Sequence, residues 1–193
     1  VEGVLCQTFQ DFQFLIINDG STDNTRDLIL SYDDARIMLV DNKHNIGQTR
    51  SLNRGVELAA GELIARQDAD DISEPERLAK QVAFLDRQPE VALLGTWYKK
   101  IDVHGTVIGD RKLPCDTTDI RWCLLFFNPF VHSSVMLRKS VVSEQVGFYN
   151  EALAYAQDYE LWHRIARCLP VANLPEPLVR YRVSPWTMTA AYG

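Results

Sequence analysis

Cysteine is scarce in this 193-residue sequence and has none of the spacings that mark a metal site. The four cysteines, Cys6, Cys115, Cys123 and Cys168, form no C-x-x-C pair, and no histidine lies at zinc-finger spacing from them. A chain of this length with 46% apolar residues can bury a core large enough to fold without disulfides. We therefore expect four free thiols, a reducing compartment and a single domain.

The sequence also lacks long hydrophobic runs and an excess of positive charge. No segment approaches the roughly 20 consecutive apolar residues that a membrane-spanning helix needs, and no secretory signal is apparent. The formal net charge of -6 disfavours general binding to nucleic acid or to an anionic membrane. A phosphate-containing ligand would therefore need local partners, such as a metal ion, a few basic side chains or backbone amides.

The first third of the chain predicts an alternation of strands and helices. Apolar, β-branched runs predict strands at 12–18, 36–40 and 62–66, and helices at 25–32 and 48–60 separate them. Short connections and right-handed crossovers favour a parallel sheet for such an order. Ligands of such sheets lie beyond the carboxyl ends of the strands.

The rest of the chain predicts a more mixed arrangement. Pro75 is expected to open a helix that ends near Gln88, and a hairpin is expected around His104-Gly105, between strands at 91–101 and 106–113. Further predicted elements are a helix at 120–127 capped by Asp116 or Thr117, a strand at 131–137, a helix at 158–167, and extended segments at 171–174 and 178–183. We therefore expect one mixed sheet instead of two independent domains.

Carboxylates are concentrated where the first and third predicted strands end. Asp19 follows the first strand, and Asp68, Asp70 and Asp71 follow the third. Three carboxylates within four residues repel one another, so such a cluster is kept where a cation or hydrogen-bond donors offset the repulsion. Oxygen-rich sites suit hard cations such as Mg(II) or Mn(II). The alternative is an acidic loop that only caps the next helix.

Taken together, these segments resemble the family 2 glycosyltransferases, which adopt the Rossmann-like fold called GT-A. The segments that carry the resemblance are Gln7-Thr8-Phe9, 14–25 (FLIINDGSTDNT), Asn45-Ile46-Gly47, Arg50, Leu52-Asn53, Gly55, 60–71 (AGELIARQDADD), Pro75, Arg77-Leu78, Gln81, 132–136 (HSSVM), 147–151 (GFYNE) and 157–162 (QDYELW). They occur in the right order up to about Trp162, and their joint occurrence is highly specific. The resemblance implies an α/β fold with a mixed, mainly parallel sheet flanked by helices.

The resemblance also implies a site for a nucleoside-diphosphate sugar, with a UDP-sugar favoured. Asp19 would accept a hydrogen bond from the nucleotide base, and Arg50 would lie near the base or the diphosphate. Asp68 would face the ribose or the sugar, and Asp70 would ligate Mn(II) or Mg(II). Such a metal neutralises the departing diphosphate.

Asp158 matches the catalytic base of the family, the second residue of a Glu-Asp pair whose first residue is Gln157 here. A carboxylate at this place can take the proton of the attacking acceptor hydroxyl, and the start of a helix favours its charged form. A single base opposite the leaving group implies direct displacement with inversion. The alternative is that Asp158 is only a helix N-cap.

Some assignments stay open between function and structure. Asp71 matches a third acidic position, and we expect it to cap the helix after Pro75 instead of contacting a ligand. His132 is either a core histidine or a contact for the acceptor or a phosphate. The tryptophans are predicted to pack, with a sugar-binding role also open for the last of them: Trp97, Trp122, Trp162 and Trp186.

The resemblance divides the single domain 1–193 into a nucleotide-sugar half at about 1–100 and an acceptor half at about 101–183. It implies a metal-assisted, inverting hexosyltransferase of bacterial-type surface polysaccharide or glycoconjugate synthesis, acting on a saccharide or lipid-linked acceptor. The expected location is the cytoplasm or the inner face of the membrane, with peripheral membrane association. One alternative is a non-catalytic nucleotide-binding module of the same fold. A nucleotidyltransferase would want a Gly-rich phosphate loop, which this sequence does not show.

The resemblance starts after the first strand of the family. Residues 1–5 match only the end of the helix that follows that strand. We therefore expect the native protein to carry about twenty further N-terminal residues, including a strand beside 14–18. Without them, strand 14–18 should be paired on one side only.

Overall fold

Residues 1–184 are the part of the chain that the computed structural model describes, and they form two β-sheets with flanking helices. Trp186 lies outside the described residues. The helices are α1 (Glu2–Leu5), α2 (Thr25–Leu30), α3 (Gln48–Leu58), α4 (Arg77–Arg87), α5 (Thr117–Cys123), α6 (Lys139–Gln145) and α7 (Gln157–Cys168). The strands are β1 (Phe14–Asn18), β2 (Ile37–Asp41), β3 (Leu63–Ala65), β4 (Ile72–Ser73), β5 (Leu93–Ile101), β6 (Val107–Arg111), β7 (Met136–Arg138) and β8 (Val171–Arg182).

The two sheets differ in strand direction. β1 and β2 form a parallel pair, while the larger sheet has the order β3-β7-β5-β8-β4, with β6 also paired to β5. Among the described strands of the larger sheet, only β5 and β8 run parallel, and the other pairings are antiparallel. The predicted mixed α/β architecture is confirmed. Fewer strands are parallel than predicted, because β3, expected in one parallel sheet with β1 and β2, pairs antiparallel with β7.

β1 is paired on one side only, as predicted for this part of the chain. Within residues 1–184 its backbone partner is β2, and the backbone partner of β3 is β7. Each of these strands therefore has one edge with no strand beside it in the described structure. The strand expected to precede β1 stays a prediction.

Local sequence features set most of the other elements. Asp116 caps α5, since its Oδ1 accepts from the amides of Thr118 and Asp119 at 3.0 Å each, and the predicted hairpin is β5–β6. The strand predicted at 131–137 is wrong in its first half, where His132–Ser134 forms a 3-10 turn. α6 and β4 are not predicted by the sequence patterns above.

The larger sheet buries apolar side chains on both faces. α5, α6 and α7 contribute to one cluster, in which Leu161 and Ile165 pack with Leu93. The other cluster includes Leu85 of α4 and Leu174 of β8. The core therefore fixes the carboxyl end of β3 and the start of α7, where the candidate site lies.

The sequence predicts packed tryptophans, free cysteines and no membrane-spanning segment. Trp162 is fully buried, whereas the packing predicted for Trp122 is wrong because its side chain is 66% exposed. All four cysteines are free thiols, as predicted. Among residues 1–184, no helix combines the length and apolarity needed to cross a bilayer.

Gly95 of β5 is paired with Asn173 of β8 and has no free space for a side chain. A Cβ atom at this position would contact the side chain of Asn173 and lie 2.7 Å from Cδ1 of Phe130. We expect Gly95→Ala to lower the free energy of unfolding by about 1–3 kcal/mol through overpacking, measured by chemical denaturation. Gly109→Ala on β6 is the control, because no atom lies within 4 Å of its added Cβ. Equal stability of the two variants would contradict the packing described here.

Candidate active site

Asp19, just after the carboxyl end of β1, organises the turn between β2 and α3. Its Oδ1 accepts hydrogen bonds from Nδ2 of Asn42 at 2.8 Å and from the amide of Ile46 at 2.9 Å, and its Oδ2 accepts from the amide of Gly47 at 3.0 Å. Burial alone would raise the pKa of Asp19, but these hydrogen bonds outweigh it and lower the pKa. The carboxylate is therefore charged and fixed at the predicted strand end, while its contact with a nucleotide base stays a prediction.

Asp68 is held by two side chains that the sequence patterns did not single out. Both guanidinium nitrogens Nη1 and Nη2 of Arg66 donate to its carboxylate. The hydroxyl of Ser133 donates to Oδ2 at 2.8 Å and accepts from the Asp68 amide at 3.0 Å. The loop after β3 is therefore joined to the 3-10 turn before β7.

Asp70 and Asp71 have different surroundings although they are adjacent. Asp70 is exposed, and no hydrogen bond from the described residues reaches its carboxylate. Asp71 is buried, and its Oδ1 accepts from the amide of Arg182 at 2.7 Å. Its prediction as a helix cap is wrong, because Glu76 is the N-cap residue of α4 and Asp71 instead holds β8.

Carboxylate oxygens in this loop fit part of a site for a hard cation. Oδ2 of Asp71 is buried without a hydrogen-bond partner, and burial, with the charges of Asp68 and Asp70, raises the pKa of Asp71 to about 6. Free carboxylate oxygens are the ligands that Mg(II) and Mn(II) prefer. Residues 1–184 contain no complete group of three metal-binding side chains, so further ligands would have to come from a bound molecule.

Asp158 lies in the first turn of α7 and faces Asn128. Nδ2 of Asn128 donates to its Oδ2 at 3.0 Å. The N-cap position is occupied by Ala156, in a left-handed conformation with φ of 54°, so the alternative that Asp158 is only an N-cap is wrong. Burial raises the pKa of Asp158, opposed by the Tyr159 amide, the charge of Arg66 and Asn128. The position of Asp158 at the start of a helix therefore does not decide the direction of its pKa shift, contrary to the sequence-based expectation.

Gln157 stands where the family pair has a carboxylate, and its side-chain amide is hydrogen-bonded to another side-chain amide. Its Nε2 donates to Oε1 of Gln48 at 3.1 Å, which joins the starts of α7 and α3. Two residues further along α3, Arg50 is 62% exposed and lies 3.6 Å from the carboxylate of Glu151. The contact of Arg50 with the base or the diphosphate stays a prediction.

His132 belongs to an aromatic cluster at the centre of the site. Its Nε2 lies 2.8 Å from the hydroxyl of Tyr149, and its ring centroid lies 5.8 Å from that of Trp162. Burial and the nearby Arg66 lower the pKa of His132 well below its usual value, so the ring is neutral. These contacts satisfy it as a core histidine, while the predicted contact with an acceptor or a phosphate is untested.

Arg66 connects the acidic loop with the candidate base, and sequence reasoning missed it. Its positive charge acts on Asp158, His132 and Tyr149 while it binds Asp68. In an extended segment, residues two apart point to the same side, so the pairing of Arg66 with Asp68 could have been predicted. The partnership of Asn128 with Asp158 had no such local indication.

Comparison with known proteins settles the family. The family described as Glycosyl transferase family 2 matches residues 1–144. The chain belongs to glycosyltransferase family 2. The motifs at Asp19, Asp68 and Asp70 fall inside the matched part, whereas Asp158 lies beyond it.

Two curated relatives show how much of a longer protein this chain resembles. An uncharacterised glycosyltransferase of Haemophilus influenzae is 33% identical over 193 residues, covering 95% of this chain and 60% of the relative. The amylovoran biosynthesis glycosyltransferase AmsE of Erwinia amylovora is 38% identical over 147 residues, covering 76% of this chain and 54% of AmsE. The chain therefore spans little more than half the length of these relatives.

Solved structures confirm the GT-A fold of this family 2 chain. S. aureus TarS in complex with UDP matches with a TM-score of 0.74 at 19% identity, covering 95% of this chain and 55% of that one. The mannosyltransferase PcManGT of Pyrobaculum calidifontis, in complex with GDP-Man and Mn2+, matches with a TM-score of 0.66 at 18% identity, covering 91% of this chain and 49% of that one.

The raised pKa of Asp158 predicts that this carboxyl lowers stability at neutral pH. A carboxyl whose folded-state pKa lies above the ordinary 3.8 stabilises the fold below that value, and this contribution is lost as the pH rises through the folded-state pKa. We therefore expect Asp158→Asn to raise the thermal midpoint at about pH 7 and to change it little at about pH 3, measured by calorimetry.

Asp102 offers a control of opposite sign. Hydrogen bonds from the amides of Thr106 and His104 lower the pKa of Asp102, so this carboxyl stabilises the fold above the ordinary 3.8. Asp102→Asn should therefore lower the thermal midpoint at about pH 7. A lowered midpoint for Asp158→Asn as well would show that burial is not the dominant influence on Asp158.

Proposed function

We propose that this protein transfers a hexose from a nucleoside-diphosphate sugar to an acceptor hydroxyl, with inversion at the anomeric carbon. The observation that carries the proposal is that Arg66 binds Asp68 of the acidic loop and lies near enough to the half-buried Asp158 for its charge to lower the pKa of that carboxyl. The solved TarS complex contains UDP and the PcManGT complex contains GDP-Man. Their folds support a nucleotide-sugar donor, and a UDP-sugar is the donor we favour.

The donor would occupy the carboxyl ends of β1 and β3, in the half of the domain at about 1–100. Asp19 and Arg50 would lie toward the base and the diphosphate, and Asp68 would face the ribose or the sugar. Asp70 would hold Mn(II) or Mg(II), because its carboxylate is exposed and without a partner in the described structure. A bound divalent cation stabilises the negative charge that develops on the diphosphate.

Asp158 would accept the proton of the acceptor hydroxyl. A base works best when its pKa approaches the working pH, and burial moves the pKa of Asp158 upward in that direction. Asn128 donates to Oδ2 and so orients the carboxylate. Position 157 carries an amide, so Asp158 is the one carboxylate of the pair and acts as base. This favours a single displacement, which inverts the anomeric configuration.

The acceptor half, at about 101–183, carries an exposed apolar segment beside the base. Trp122, Leu125, Phe126 and Phe127 are 66%, 64%, 69% and 40% exposed, and the next residue is Asn128, the partner of Asp158. We propose that this segment contacts the hydrocarbon of a lipid-linked saccharide acceptor and associates peripherally with the membrane, at its cytoplasmic face. The name of AmsE, a protein of amylovoran biosynthesis, supports a polysaccharide pathway.

The catalytic test is transfer by the Asp158→Asn variant. We expect nucleotide binding to persist and the transfer rate to fall by about 100-fold or more, the usual effect of losing a general base. A panel of nucleotide sugars with Mn(II) would be screened by thermal shift, and the released nucleoside diphosphate would be measured with and without Mn(II). Proton NMR of the product would report the anomeric configuration.

The Glu144→Gln variant is the control, since Glu144 is an exposed carboxylate on α6 outside the proposed chemistry. Transfer at the parental rate by Asp158→Asn would remove its role as base. Nucleotide-sugar binding without turnover in the parent protein would favour the alternative, a non-catalytic nucleotide-binding module of the same fold.

The lipid contact predicts binding to neutral vesicles. We expect the parent protein to co-sediment with phosphatidylcholine vesicles, and the double variant Trp122→Ser/Phe126→Ser to stay in the supernatant, because aromatic side chains favour the bilayer interface. The double variant Val107→Ser/Ile108→Ser on β6 is the matched control, since it also removes two exposed apolar side chains, which are 51% and 57% exposed. Equal sedimentation of both double variants would exclude a specific role for the segment.

A further inference from the structure

Asp68 and Asp70, the two carboxylates of the Asp68-Ala69-Asp70 motif, differ in their hydrogen-bond partners. Asp68 uses Oδ1 for Nη2 of Arg66 and Oδ2 for Nη1 of Arg66 and the hydroxyl of Ser133. Asp70 is exposed, and within residues 1–184 no donor is bound to its carboxylate. A cation that approaches the loop therefore meets one carboxylate that must be released from its partners and one that needs only to lose water.

Releasing Asp68 would leave Arg66 without a counter-ion. The Arg66 side chain is only 10% exposed, and its Nε is already buried without an acceptor. Two of its other neighbours are uncharged, because burial lowers the pKa of His132 and raises the pKa of Tyr149. The carboxylate of Asp158 is near enough for the charge of Arg66 to lower its pKa, but its side-chain hydrogen-bond donor is Asn128 and not Arg66. A buried, unpaired guanidinium is strongly unfavourable, and a divalent cation placed beside it would be repelled.

Arg66 is also fixed from the backbone. Its amide donates to the carbonyl of Val135 at 3.0 Å, and its carbonyl accepts from Nη2 of Arg77 at 2.8 Å. The backbone of Arg66 is therefore fixed just after the end of β3, which limits the movement of its guanidinium toward other partners.

We infer that Arg66 is a positioning residue that keeps Asp68 out of the coordination sphere of the metal and leaves Asp70 as the carboxylate of this motif that faces the cation. Asp68 is then reserved for the hydroxyl groups of the donor. This inference rests on the proposed nucleotide-sugar site.

The test measures Mn(II) affinity by electron paramagnetic resonance in the presence of saturating UDP, with GDP in parallel, and does not depend on sugar transfer. Asp70→Asn should weaken Mn(II) binding by about tenfold or more, because it removes the ligand. Asp68→Asn removes no ligand but leaves the charge of Arg66 unpaired, so it should weaken Mn(II) binding by only about threefold. Arg66→Met should tighten binding by about tenfold, because a carboxylate is freed and a positive charge is lost. A role of Arg66 in folding alone would not increase Mn(II) affinity.

Arg36→Met is the matched control, because Arg36 also binds an aspartate two residues away, Asp34, with two nitrogens. It should leave Mn(II) affinity unchanged. If a single variant at Arg66 or Asp68 does not fold, the double variant Arg66→Met/Asp68→Asn, which leaves neither charge alone, should bind Mn(II) within about twofold of the parent.

Each remaining outcome is decisive. A loss of Mn(II) affinity in Asp68→Asn, or in the double variant, as large as that in Asp70→Asn overturns the inference while the nucleotide site stands. No binding of Mn(II) with either nucleotide to the parent protein would instead overturn the proposed function, and the inference with it.

Discussion

The hydrogen bonds of the Arg77 guanidinium hold the site together. Arg77 is 1% exposed, and no carboxylate is bound to it among the described residues. All five of its side-chain N–H groups are nevertheless used, and the acceptors are the side chains of Gln81, Gln67 and Ser73 and the carbonyls of Arg66 and Val135. Burial lowers its pKa to about 9, so it is charged at neutral pH. An unpaired buried charge is tolerated only when its hydrogen bonds are satisfied, and α4 therefore fixes the end of β3 against the start of β7.

Much of this arrangement could be predicted because it is encoded locally. The strand ends that carry Asp19 and Asp68, and the cap at Asp116, follow from apolar runs, short connections and helix-capping residues. The side of the domain on which a ligand would bind follows from the rule that ligands lie beyond the carboxyl ends of strands. The resemblance to the family added Asp158, which no local pattern distinguishes from an ordinary helix cap.

The rest could not be predicted because it depends on contacts between distant segments. The antiparallel pairing of β3 with β7 joins Ile64 to Leu137, and no periodicity in either segment specifies the partner. The pKa of Asp158 was predicted from its place on a helix, yet it is governed by burial under residues from other elements. In the same way, Asn128 reaches Asp158 from a loop for which no sequence pattern indicates a contact with α7. Propensity and spacing determine elements, whereas electrostatic environment is a property of the assembled fold.

The start of α7 shows what a buried base requires of its neighbours. Ala156 adopts a left-handed conformation that non-glycine residues rarely adopt, and Asp158 is desolvated just after it. Both features cost stability, and both place one carboxylate at a defined point. A second carboxylate at the adjacent, buried position 157 would raise the pKa of Asp158 further, because like charges disfavour each other's ionisation. Gln157 avoids that repulsion while its amide binds Gln48. The charge of Arg66 therefore stabilises one half-buried carboxylate at the start of α7 instead of two.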